Sequence, residues 1–124
     1  DVIPRTPAAA GGLDHHTSFE APLPGYEEQV FFHYPQVNPD GFAEARLVNQ
    51  DLSLGIRLRW LAETMPVLTQ WKMMGQGEYV CGLEPATHAL APYEALKKQD
   101  LPRVLAPGES VEYELTLEIL EIFD

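Results

Sequence analysis

Glu84 is the residue in this sequence best placed for acid–base work. It follows the strand-like run Tyr79 to Leu83 and precedes Pro85, which cannot donate to a ladder and is expected to stop the strand. A carboxylate at a strand end is held by the sheet while it faces a cleft, a position suited to a general base. The alternative is a solvated surface charge, the usual state of a glutamate in such a place.

Other groups capable of chemistry give weaker patterns. Asp14, His15 and His16 are adjacent. In an extended segment adjacent side chains point opposite ways, so the three cannot easily meet one ion, and no metal is expected. Cys81 is the sole cysteine, which excludes an internal disulfide. It reads as a small apolar strand residue, because neither a base nor a basic setting accompanies it. His33 is the one histidine on a predicted strand. His88 lies four residues past Glu84, and Pro85 argues against a helix that would bring them together. His88 could still line the mouth of a cleft. There is no glycine-rich phosphate loop, serine elbow or spaced Cys/His cluster, and no cofactor is expected.

One stretch carries a more specific signal. The run TQWKMMGQGEYVCGLEPA covers residues 69–86, with PLPGYEEQVFFHY upstream and LAPGESVEYEL downstream. Together these segments resemble a branch of the aldose 1-epimerase (galactose mutarotase-like) superfamily, in order along nearly the whole chain. In that family a glutamate in a short motif ending a strand is the general base, and Glu84 in GLEPA occupies the matching position. The family's general acid is a histidine in a motif of the type His-x-Asn-Phe-Gly, which is not found in these 124 residues. The resemblance therefore implies that the chain is the C-terminal part of a mutarotase-like protein, with the acid located before Asp1.

The same resemblance implies a monosaccharide or sugar derivative as the partner. Trp71 could stack on a pyranose ring or serve as a core tryptophan. Lys72 points to the other side of its strand, as does Gln70, which could donate to a sugar hydroxyl. Glu84 is then the expected catalytic residue, with Trp71, Lys72, Gln70 and His88 as sugar contacts. A non-catalytic carbohydrate-binding module needs the aromatic face without the acid–base pair. A structural fragment, the third possibility, would expose sheet edges and pair with a missing N-terminal half or a second copy.

The elements that must hold these residues are strands. Leu68 to Thr87 reads as a hairpin about the Gly75-Gln76-Gly77 turn. Gln29 to Tyr34 is a strand rich in β-branched and aromatic residues. Phe42 to Asn49 is a second strand, expected to form a hairpin with it across the Asn38-Pro39-Asp40-Gly41 turn. Leu54 to Leu61 alternates cleanly, with Leu54, Ile56, Leu58 and Trp60 opposite Arg57 and Arg59. The arginines are expected to pair with glutamates in preference to lining a pocket. Pro92 to Lys98 reads as a helical turn or two begun by proline. Ser110 to Phe123 reads as a long strand with a slip in its pattern at Ile119-Leu120, the signature of a bulge. Asp1 to Gly25 reads as an extended arm. The expected class is all-β, an antiparallel sandwich or part of the mutarotase-like supersandwich, with residues 1–124 as one domain or part of one.

Composition narrows the partners. The net charge is −11, and 45% of residues are hydrophobic. An acidic surface repels phosphate backbones and anionic lipids, so neither nucleic acid nor a membrane is expected. No run of about eighteen apolar residues is present. A cytoplasmic setting is the default for a chain with one cysteine.

Overall fold

Alternation and turn chemistry, more than helix propensity, shape this chain. The structure, a computed structural model, describes residues 1–122. They contain strands β1 (Val2–Pro4), β2 (Gln29–His33), β3 (Phe42–Asn49), β4 (Leu54–Leu61), β5 (Val67–Met74), β6 (Tyr79–Ala86) and β7 (Leu115–Glu121). Two five-residue helices, α1 (Pro7–Gly11) and α2 (Tyr93–Lys97), complete the main elements. The class is all-β and antiparallel, as expected. None of the described helices is long and apolar enough to cross a membrane.

The described residues form two compact units. The first combines Asp1–Tyr34 with Val67–Ala89, and its sheet has the order β1-β2-β5-β6. The β5–β6 hairpin turns at Gly77, whose φ of +79° is the left-handed conformation that favours glycine. Val30, Phe32 and Val67 make an apolar cluster on one face of this sheet, with Trp71 and Ala89 packed against it. The opposite face carries Phe31 and Met74, both fully buried.

The second unit combines Pro35–Pro66 with the chain from Leu90 onward, and its sheet has the order β3-β4-β7. Trp60 is wholly buried and donates from Nε1 to the Met65 carbonyl at 2.9 Å. The arginines pair with acids, as the sequence predicts. Arg57 bonds Glu118 and stands 3.5 Å from Glu44, while Arg59 bonds Asp40 and lies over the Phe42 ring. The Phe42 amide and then Arg59 hold the Asp40 carboxyl below its ordinary range. On β7, outermost in its sheet, Leu115, Leu117 and Ile119 are exposed.

The structure corrects several sequence expectations. Asp1 to Gly25 is not an extended arm. Val2–Pro4 pairs with β2, and Thr6 caps α1 by accepting from the Ala9 amide, with Pro7 at the helix start. Leu13–His15 forms one 3-10 turn. The β2 strand pairs with β1 and β5, not with β3; β3 instead pairs with β4 across the turn at Asn49–Ser53. Pro85 does not stop β6. This strand is an edge, so a missing amide proton costs no ladder bond there, and pairing runs on to Ala86. Residues 110–114 are not strand, and β7 pairs with β4 without a bulge at Ile119-Leu120. Phe123 lies outside the described residues.

Candidate functional site

Register decides which of the five candidate residues can meet. Thr69 lies opposite Glu84 and Trp71 opposite Gly82, so Glu84 and Trp71 share one face of the four-stranded sheet. Gln70 and Lys72 alternate with Trp71 along β5 and point to the other face. The sequence left open which pair is buried. Lys72 is 0% exposed and Gln70 5%, whereas Trp71 is half-buried and Glu84 exposed.

The Glu84 carboxylate lies back over Gly82. Its Oε1 would be 2.5 Å from a Cβ built on Gly82, and the Trp71 Cβ 3.4 Å from it. The absent methyl therefore leaves the space in which the carboxylate lies, beside the Trp71 Cβ. Trp71 is fixed at its far end, where Nε1 donates to Glu28 Oε2 at 2.7 Å. The face thus presents an indole with Glu84 on its β6 side and Glu28 on its β2 side. Two further residues of β6, Pro85 and Ala86, follow Glu84, so it is not the strand's last residue.

Gln70 and Lys72 are committed to a different task. Lys72 Nζ donates to the His15 carbonyl and to Glu20 Oε1, both at 3.1 Å. Gln70 Oε1 accepts from His33 Nε2 at 2.8 Å, and Gln70 Nε2 donates to the His16 carbonyl at 2.7 Å. The His16 ring lies 5.4 Å from that of His33. Together these bonds strap the segment around residues 15–20 across the sheet. Burial pushes the Glu20 carboxyl up, but a backbone hydrogen bond and Lys72 outweigh this and hold it below its usual range. Burial raises the Cys81 thiol, with Lys72 opposing, which suits an inert apolar cysteine.

The histidines are dispersed. His33 faces the strap, on the side of the sheet opposite Glu84, so it cannot serve as that carboxylate's acid partner. His88 follows β6, and its Nδ1 is 2.9 Å from the Ala89 carbonyl. His15 ends the 3-10 turn, so Asp14, His15 and His16 are not extended as the sequence reading assumed. Among the described residues no group of three His, Cys, Asp or Glu side chains could hold a metal ion.

Comparison with known proteins now adds to this geometry. The family model described as Domain of unknown function (DUF4432) matches residues 1–119. The chain belongs to this DUF4432 family. No curated protein matches it. Among solved structures, the DUF4432 chain is similar to a crystal structure from Klebsiella pneumoniae subsp. pneumoniae MGH 78578, of a protein provisionally described as an aldose 1-epimerase. The TM-score is 0.90 and the identity 28%, over 98% of this chain. The DUF4432 chain spans about a third, 32%, of that protein.

Two residues of the site escaped sequence reasoning. Glu28 sits in an irregular run before β2, and Glu20 lies 52 residues from Lys72. Both partnerships join segments far apart in the chain. Neither leaves a local pattern, although the alternation of β5 already separated Lys72 from Trp71.

Proposed function

We propose that this chain is the C-terminal portion of a sugar-directed protein, most concretely an aldose mutarotase. The observation that carries this reading is the exposed Glu84 carboxylate on the face of the sheet that also carries the half-buried Trp71. An indole accepts the C–H face of a pyranose, and a carboxylate accepts its hydroxyl protons. The similarity to a structure provisionally described as an aldose 1-epimerase supports the same chemistry.

In this mechanism Glu84 takes the proton from the anomeric hydroxyl while an acid protonates the ring oxygen. The C1–O5 bond breaks and gives the open aldehyde. Rotation about C1–C2 turns the carbonyl, and reclosure with the two proton transfers reversed yields the other anomer. No proton is gained or lost overall. The resemblance implies a histidine as that acid, and His33, on the opposite face of the sheet, does not supply it. Gln70 and Lys72 hold the sheet's covering strap, so Trp71 is the sugar contact among the β5 candidates. His88, just past β6, remains a candidate for the cleft mouth.

Exchange NMR on a panel of aldoses tests this reading, comparing this chain with a longer protein that contains it. Catalysed anomer exchange by the longer protein is the expected result. Sugar line-broadening without exchange would replace the enzyme with a binding module. Neither signal from either protein would overturn the carbohydrate reading.

A further inference from the structure

We propose that Glu28 is a positioning and specificity residue of the Trp71 surface, selecting a neutral, hydroxyl-rich sugar over a phosphorylated or sulfonated one. The proposal rests on the reading of that face as a sugar site.

The indole has one polar atom, and it is a donor only. In this structure that donor is satisfied by a carboxylate at 2.7 Å. A charged acceptor makes such a bond shorter and stronger than a neutral one. The torsion that turns an indole about its Cβ is broad, so packing at one end leaves the ring plane loosely set. Trp71 is packed at its inner end against Val30, Phe32 and Val67. The Glu28 bond sets the outer end and so fixes the plane on which a pyranose would lie.

Charge gives the second part. Gln29 pairs with Lys72, so by continued register Glu28 falls on the same face as Val30 and Trp71. Glu28 bonds the indole and Glu84 lies over Gly82 beside the Trp71 Cβ, so a carboxylate stands on the β2 side and on the β6 side of Trp71. The buried cation of this sheet, Lys72, faces away and is paired with Glu20 at 3.0 Å. Arg5 donates its amide to the Val30 carbonyl, which places it on β1's side, two strand spacings or roughly 10 Å from β5. Hydroxyls can donate to these carboxylates, whereas a phosphate or sulfonate would be repelled by them.

The test uses the longer protein, with galactose, glucose and glucose 6-phosphate as probes and anomer exchange as the readout. Wild type should discriminate against glucose 6-phosphate by at least about tenfold in kcat/KM. Glu28→Ala should raise KM for the free sugar by about tenfold with kcat nearly unchanged, the loss expected of one charge-assisted bond. Glu28→Gln keeps an acceptor for the indole, so it should restore KM while narrowing the discrimination against the phosphate. Trp71 emission should shift in Glu28→Ala and return in Glu28→Gln, over a constant background from buried Trp60. Active wild type with unchanged KM and emission in Glu28→Ala would overturn the role of Glu28 alone. Equal turnover of glucose and glucose 6-phosphate would overturn the charge selection. No exchange or binding of any probe by wild type would overturn the sugar site and this proposal together.

Discussion

The Glu84 carboxylate occupies the space that a side chain on Gly82 would fill, with Oε1 2.5 Å from the position of its absent Cβ. The obstacle is the far end of a flexible side chain, not backbone. Gly82→Ala should therefore push Glu84 aside with little damage to the fold. The denaturation midpoint should move by less than about 1 kcal/mol equivalent, since alanine is no worse than glycine in a strand. Anomer exchange should fall by about tenfold or more, because a displaced base loses its hydrogen-bond geometry. Equal activity in Gly82→Ala would show that the observed carboxylate position is not the working one.

The Lys72–Glu20 pair predicts an asymmetry. Lys72 is fully buried, whereas the Glu20 side chain is 38% exposed. Removing Glu20 leaves a buried ammonium without its partner, while Lys72→Met removes the charge and keeps the volume. Glu20→Ala should cost on the order of 1–3 kcal/mol, less than a fully buried pair because water screens one side. Lys72→Met should cost less than Glu20→Ala. Urea denaturation of the two variants gives the order directly, and the reverse order would contradict this account of the strap.

His33 makes the strap sensitive to acid. Burial pushes its imidazole below the ordinary value, the Gln70 bond opposes this, and His16 acts in the same direction as burial. The fold therefore favours the neutral ring. Its stabilisation is complete above the ordinary histidine value of about 6.5 and is lost as pH falls through the lower folded value. Glu20, whose carboxyl is held down, adds a second loss at still lower pH. Stability measured by denaturant between roughly pH 7.5 and 5 should decline in wild type and flatten in His33→Gln. An identical slope in both proteins would remove His33 from the explanation.

Local pattern made much of this architecture legible before any fold was known. The eight-residue strands β3 and β4 appear with the bounds the sequence predicts, β4 from its clean alternation and β3 from its short length and the Pro-Asp-Gly turn before it. The same alternation separated Gln70 and Lys72 from Trp71. What it could not supply was pairing. Whether β3 joins β2 or β4 depends on contacts that no single strand encodes, and the Glu28–Trp71 and Glu20–Lys72 partnerships span 43 and 52 positions. The N-terminal segment shows no helical period in its sequence, because α1 has only five residues. Pro85 misled because its tolerance depends on β6 being an edge strand, a property of the sheet.

The central claim is that Glu84 is a base acting on a sugar beside Trp71. Exchange NMR of anomer interconversion tests it most directly, comparing wild type with Glu84→Gln in the longer protein. Glutamine keeps the size and hydrogen bonding of glutamate but cannot take a proton. The account predicts that exchange falls by at least about a hundredfold while the denaturation midpoint holds. Exchange at the wild-type rate in a folded Glu84→Gln protein would contradict it.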